Sequence, residues 1–372
     1  MKIGVLREIK IQENRVAMTP AGAEILTDNG HEVFIEKDAG LHSGFADSEY
    51  TLHGAKICID AKQIYNTCEM VIHVKEPQQN EIGLIRDDQI IITYLHLAAS
   101  RELTESLLQT RGVFLAYETI QKQNGSLPLL IPMSEVAGRM AIQQGAKYLE
   151  MEWGGRGVLL GGVPGVEPGT VLILGAGTVG LNAAQMAAGL GAKVYILDQH
   201  TERLRFLQTI LPPNCFTIAS SPSVVRELIK RADVVVGSAL NPGARAPKIV
   251  TKPMLKTMKK GSVLVDVSID QGGCFETSKP TTHDDPIYEV DGVIHYCVTN
   301  MPGAVAQTST LALTNATLPY ILELANKGYR KALLASSELA LGANIIRQNI
   351  TCPGVSQAFD LPFVSVEDAL GG

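Results

Sequence analysis

The sequence predicts an α/β protein made of two doubly wound domains. Three observations carry that prediction. The chain has 372 residues, more than one ordinary core holds, because domains run to about 100–200 residues. Short apolar runs of strand character alternate with helical patterns through the first third, and a second alternation begins at residue 170. Strands separated by helices pair in parallel, with helices on both faces.

The elements follow in order. "KIGVLR" is a short strand. "TPAGAEILTDNG" is a helix with Thr19 as N-cap, Pro20 at its first position and its end at Gly30. "HEVFIE" is a strand, "EMVIHVKEP" and "QIIITYLHL" are two more, "RELTESLLQTRG" is a helix and "VFLAYETI" a strand. The breakers in "NGSLPLLIP" mark a boundary. "MSEVAGRMAIQQGAKYLE" reads as a helix capped by Ser134, with Val136, Met140, Ala141 and Tyr148 on one face. A glycine-rich connection, 154–169, leads to the strands "TVLILG", "AKVYILD", "ADVVVGSA", "GSVLVDVSI" and "GVIHYCVTN". Beyond Pro302, "LPYILELANKG" and "KALLASSELALGANIIR" carry helical spacing. That tail is too short for a core of its own and is expected to pack on the first domain.

Composition excludes several classes. A net charge of −6 without any basic run argues against nucleic-acid binding. The six cysteines form no C-x-x-C and no zinc spacing, so they read as reduced, mostly buried thiols of a cytoplasmic protein. Arg7, Glu8 and Lys10 interrupt any signal-peptide core. Residues 169–192 carry no charge and are long enough to span a bilayer. Their glycines, with Asn182 and Gln185, argue for a soluble glycine loop instead.

That loop is Gly175-x-Gly177-x-x-Gly180, a weak pattern alone. Its context is specific: it follows a strand, opens a helix and is followed by a strand ending in Asp198. Gly175 allows the turn, Gly177 lets backbone approach a pyrophosphate, and Gly180 packs helix on strand. The helix start offers N–H groups to the anion. Asp198 lies 18 residues past Gly180 and would accept ribose hydroxyls while repelling a 2′-phosphate. NAD is therefore expected over NADP.

Ligands of doubly wound folds bind beyond the carboxyl ends of strands, and polar residues gather there. Lys75 ends "MVIHVK", His96 ends "IIITYLH", Asp270 follows "VLVDVSI", Asn300 ends "HYCVTN", and Arg15 lies in the loop after the first strand. Arg15 and Lys75 together suit a small carboxylate, although each alone reads as a solvated surface cation. Histidine is the residue type suited to acid–base work near neutral pH, but judged singly His96 reads as well as a core histidine. His73 sits inside its strand and reads as structural. Asp270 could anchor an amine or a ribose, or form the turn before Gly272-Gly273. Tyr94 alternates with His96 and so shares its face.

Taken together, "ENRVAMTP", "VKEP", "YLHLA", "PLLIPMSEVAGRMA", "GAGTVG", "DVSIDQGG" and "VTNMPGAVA" resemble the NAD-dependent L-alanine dehydrogenase family. The resemblance runs over essentially the whole chain. It implies a Rossmann dinucleotide-binding domain, residues 129–305, inserted into a discontinuous catalytic domain made of 1–128 and 306–372. It further implies a cytoplasmic homohexamer acting on L-alanine, pyruvate and ammonium. Arg15 and Lys75, with Tyr94 and Asn300, would bind substrate, and His96 and Asp270 would be catalytic. Ser134, Gly175, Gly177, Thr178, Val179, Gly180, Asp198, Arg203, Ser220, Ala239 and Leu240 would contact NAD. So would Val267, Ser268, Ile269, Asp270, Lys279, Val298, Thr299, Asn300 and Met301. At position 279 the family shows arginine as well as lysine. Some members hold a metal near the helix carrying Glu323, partly through a histidine four residues on. That position is Lys327 here, so no metal is expected.

The implied chemistry begins with pyruvate held by Arg15 and Lys75. Ammonia adds to the carbonyl, His96 protonates the departing hydroxyl, and hydride from NADH reduces the imine to alanine. Two other readings remain. One is the soluble NAD(H)-binding component of a proton-translocating transhydrogenase, which needs a membrane portion or partner that is not expected here. The other is a non-catalytic NAD-binding protein, against which the full set of polar residues argues.

Overall fold

The computed structural model describes residues 1–239 and 246–371. Six strands come from the first third: β1 (Lys2–Val5), β2 (Glu32–Glu36), β3 (Lys56–Cys58), β4 (Met70–Ile72), β5 (Ile90–Thr93) and β6 (Val113–Ala116). The middle of the chain supplies β7 (Thr170–Leu174), β8 (Lys193–Asp198), β9 (Cys215–Ala219), β10 (Val234–Gly237), β11 (Val263–Asp266), β12 (Ile287–Val290) and β13 (Val293–Tyr296). The C-terminal part adds β14 (Ala343–Ile346) and β15 (Asn349–Ile350). The chain forms two compact units, one of Met1–Met133 with Val305–Gly372 and one of Ser134–Ala304.

In the first unit the sheet order is β15-β14-β6-β5-β4-β1-β2-β3, and β1 to β6 are mutually parallel. The order reverses between β1 and β4, and the crevice beyond such a reversal is where open parallel sheets bind ligands. Alternation sends Ile3, Val5, Ile72 and Ile92 to one face, against Leu313, Ile321 and Leu324 of helix Ala306–Lys327. Val71, Ile91 and Phe114 face the other side, against Ile64 and Leu107. The C-terminal tail thus packs on the first unit, and each buried Leu or Ile contributes about 1.5–3 kcal/mol.

The first helix spans Pro20–Asp28, with the Thr19 hydroxyl accepting from the Gly22 N–H as its cap. Three local expectations need correction. The stretch 331–347 is not one helix: helices Tyr329–Ala335 and Ser337–Gly342 are followed by β14. Ser336 caps the second of these, and "ANII" pairs antiparallel with β6, covering an edge that would otherwise lack partners. Ser134 is not a cap, because the helix begins earlier and runs Ile131–Tyr148, with Pro132 tolerated in its first turn. Strands β4, β5, β11 and β13 all end sooner than their apolar runs, so the polar residues attached to them lie in the loops beyond.

The second sheet has the order β12-β13-β11-β10-β7-β8-β9, all parallel except β12. It reverses between β7 and β10 in the same sense as the first. Both units are therefore doubly wound. No helix among the described residues is long and apolar enough to cross a membrane, so stretch 169–192 is a strand, a loop and a helix.

Candidate active site

Two strands flank the reversal in the first sheet, and their loops carry the two cations. The loop after β1 holds Arg15, which is 3% exposed, beside Glu13, which is 6% exposed. Arg15 grips Glu13 through Nε to Oε1 at 2.6 Å and Nη2 to Oε2 at 2.5 Å, while Nη1 lies 3.0 Å from Met133 Sδ. The loop is fastened from the other end of the chain: Val16 N–H donates to Thr310 Oγ1 at 3.1 Å, and Thr310 meets the Ser43 hydroxyl at 3.0 Å. Burial pushes the Glu13 carboxyl up, but hydrogen bonds and charge from Arg15, with charge from Lys75, hold it below its ordinary value.

Lys75 lies three residues beyond β4. Glu8 fixes its backbone by accepting the Val74 N–H at 2.6 Å, and Thr93 Oγ1 donates to the Lys75 carbonyl at 2.8 Å. Burial lowers the ammonium pKa first, and charge from Arg15 lowers it further. The Glu13 carboxylate acts on both cations, and Glu8 adds negative charge at Arg15 and Glu76 at Lys75. His73 is structural, as its place suggests: it is buried between the Tyr65 hydroxyl at 3.1 Å and Glu8 at 3.5 Å. Burial would lower its pKa, but Glu8 outweighs that and raises it.

His96 lies three residues past β5, in the left-handed region at φ 50° and ψ 36°. Its ring is exposed and stacks on Tyr94, with centroids 6.0 Å apart and planes at 13°. Tyr94 is itself buried, and its hydroxyl donates to the Leu129 carbonyl at 2.5 Å. Arg15, Lys75, Tyr94 and His96 thus all project from loops at one end of the first sheet.

In the second unit the glycine loop joins β7 to helix Thr178–Gly189. Gly175 adopts φ 111°, and a Cβ at Gly180 would lie 1.9 Å from the Gly175 carbonyl oxygen, so that close packing admits no side chain. A Cβ at Gly177 would meet nothing within 4 Å, and no side chain caps the helix. The open face at Gly177 and the uncapped helix start fit a pyrophosphate. Asp198 ends β8; its Oδ2 accepts the Ala176 N–H at 2.8 Å, and its Oδ1 accepts from the backbone and ring of His200 at 2.9 and 3.0 Å. Burial raises this carboxyl, yet the His200 and Ala176 N–H groups outweigh it and lower its pKa. Arg203 Nε donates to the Ala176 carbonyl at 2.7 Å, and Ser220 N–H to the Asp198 carbonyl at 2.8 Å. Thr178 and Val179 open the helix.

Ala239 ends the described chain beyond β10 and accepts the Ser268 hydroxyl at 2.9 Å; Leu240 lies outside the described residues. Val267, Ser268, Ile269 and Asp270 follow β11. Asp270 is exposed and lies in the 3-10 turn Ile269–Gln271 that leads into Gly272-Gly273. Asp266 holds that turn from below: it is fully buried and accepts the Ser268 N–H at 3.1 Å, the Cys274 N–H at 2.8 Å and the Ser278 hydroxyl. Burial raises its pKa despite those donors. Val298, Thr299, Asn300 and Met301 follow β13, with Asn300 at φ 58° and its carbonyl 3.3 Å from His283 Nε2. Lys279 is exposed, and its N–H donates to the Tyr288 hydroxyl at 2.7 Å. The helix containing Glu323 shows Lys327 bonded to that carboxylate at 2.8 Å. The described residues hold no cluster of His, Cys, Asp or Glu that could bind a metal.

Sequence reasoning missed Glu13, Glu118 and Asp266. Glu13 stands two residues before Arg15, a spacing that could have suggested a buried partner. Nothing in "AYETI" marks Glu118, whose carboxylate accepts the His96 N–H at 2.6 Å across two strands.

Comparison with known proteins follows from these features. The family model for the alanine dehydrogenase/PNT N-terminal domain matches residues 4–137, and that for the C-terminal domain matches residues 141–353. An alanine dehydrogenase of Methanococcus maripaludis is 54% identical over 371 residues, covering 100% of each chain. A solved L-alanine dehydrogenase is 50% identical, with a TM-score of 0.94 over 97% of this chain and 99% of its own. A transhydrogenase of Sinorhizobium meliloti shares the fold alone, with a TM-score of 0.82 at 23% identity over 95% of this chain and 99% of that one.

Proposed function

The chain belongs to the alanine dehydrogenase/PNT family, and on that premise we propose how its own residues perform the reaction. Its activity is the reversible oxidative deamination of L-alanine to pyruvate and ammonium, with NAD as cofactor. The observation that carries the substrate reading is the cation pair: Arg15 and Lys75 stand in the loops after the two strands that flank the reversal of the first sheet, close enough that the charge of Arg15 lowers the Lys75 pKa.

Arg15 and Lys75 bind the substrate carboxylate and carbonyl region, and Tyr94 and Asn300 also serve substrate binding. His96 transfers the proton: it protonates the departing hydroxyl during amination and deprotonates the attacking water during deamination. Asp270 is the second catalytic residue. The bound cofactor supplies or accepts the hydride. Ser134, Gly175, Gly177, Thr178, Val179, Gly180, Asp198, Arg203, Ser220, Ala239 and Leu240 hold it. The stretches 267–270 and 298–301, with Lys279, complete its site. The first unit serves as the catalytic domain and the second as the NAD-binding domain. The protein acts as a homohexamer in the cytoplasm; exposed Met151, Leu159, Val163 and Val166 support self-association, and sedimentation equilibrium tests it.

NADH oxidation measured with pyruvate plus ammonium, and with each omitted, tests the activity. Turnover needs both; oxidation without ammonium would overturn the amination reading. Asp198→Ala tests the ribose role. Losing a charged hydrogen-bond acceptor costs about 1.5–3 kcal/mol, so NADH affinity should fall about 10–100-fold and the preference over NADPH should relax. An unchanged cofactor preference counts against the ribose assignment.

A further inference from the structure

We infer that Glu118 is a positioning residue for the acid–base histidine, an inference that rests on the reading of His96 given above. The starting point is the backbone of His96. A side chain with a Cβ in the left-handed region costs about 1–2 kcal/mol, and such a conformation persists only where its surroundings impose it. Here the His96 carbonyl accepts the Ala99 N–H at 2.9 Å, and one carboxylate fixes the amide side of the residue. Glu118 Oε1 accepts the His96 N–H at 2.6 Å and the Leu95 N–H at 3.1 Å, and Oε2 lies 3.3 Å from the Leu95 nitrogen. Bonds to an ionised acceptor are roughly twice as strong as neutral ones.

The topology explains why Glu118 can do this. Strands β5 and β6 are parallel neighbours, and their last residues, Thr93 and Ala116, are paired. Glu118 lies two residues beyond Ala116, in the 3-10 turn Tyr117–Thr119, and so meets the chain turning at Leu95 and His96. The imidazole is then held from two directions. Glu118 sets the backbone angle from which the side chain departs, and Tyr94 sets the ring plane by stacking, its own hydroxyl anchored to Leu129. Because the Glu118 carboxylate is engaged by backbone amides, it acts through His96 and not on the substrate. Without it, two amides lose their acceptor, the turn relaxes out of the left-handed region, and the imidazole points elsewhere.

A double-mutant cycle in the full-length protein tests this. Misplacing a reacting group by about 1 Å costs on the order of 10²-fold, so Glu118→Ala should lower kcat by about 10–100-fold while NADH affinity, read by fluorescence titration, is retained. Glu118→Gln keeps an acceptor oxygen and should recover part of the loss. In a His96→Ala background, Glu118→Ala should cost no further turnover, since the group it aims is gone. Equal losses in both backgrounds would show that Glu118 only supports the fold, and would overturn the inference while leaving the His96 reading intact. If His96→Ala itself keeps wild-type turnover, the acid–base reading fails and the inference with it. Should Glu118→Ala fail to fold, Glu118→Gln carries the same cycle.

Discussion

His96→Ala should lower kcat for pyruvate amination by about 10²–10⁴-fold, the range that general acid–base catalysis contributes. NADH binding should survive. The reason lies in where the ring sits. His96 is exposed, carries none of the core, and among the described residues stacks on Tyr94 alone, so its truncation leaves no cavity in the sheet. The residues proposed to hold the cofactor belong to the second unit, whereas His96 belongs to the first. Steady-state kinetics beside a fluorescence titration of NADH separates the two effects. Near wild-type turnover in this variant would sink the acid–base assignment, and a parallel collapse of NADH binding would point to a structural role instead.

The second large effect concerns Arg15. Arg15→Ala should destabilise the protein by about 3–5 kcal/mol, because it leaves the buried Glu13 carboxylate without its partner. Both side chains are nearly inaccessible, and two hydrogen bonds of 2.5–2.6 Å join them. The midpoint of urea unfolding reads this loss. Removing the orphaned charge as well, in Glu13→Gln/Arg15→Ala, should restore part of the stability but not the KM for pyruvate. That split distinguishes the two tasks of Arg15: pairing with Glu13 and binding the substrate carboxylate. If the double variant regained the wild-type KM for pyruvate, the substrate role would be lost. If the single variant were as stable as wild type, the buried pair would be of no consequence to folding.

Much of the architecture was legible in the chain because it follows local periodicity. The alternation of β-branched runs with helical patterns is written residue by residue, and so are Thr19-Pro20 at a helix start and the glycine loop before Asp198. Where local signals compete with tertiary pairing, the reading failed. Residues 343–346 follow a helical pattern, yet they form a strand because β6 presents an unpaired edge to them. Asp266 and Asp270 are both acids near one strand end, and nothing local tells which of them the fold buries under the Gly272-Gly273 turn.

By itself the sequence determined the α/β class, the two alternations, the dinucleotide loop and the identity of the polar residues beyond the strands. Each of these depends on spacing along the chain. The tertiary structure decided the order of strands in each sheet, and hence that Arg15 and Lys75 flank one reversal. It also supplied the partners Glu13 for Arg15 and Glu118 for His96. Such partners cannot be read from order alone, because a hydrogen bond depends on distance in space, and Glu118 is 22 residues from His96 in the chain. His96 ends an apolar run in the sequence; in the fold, a carboxylate from the turn beyond the next strand holds it in a backbone conformation that it would not adopt unaided.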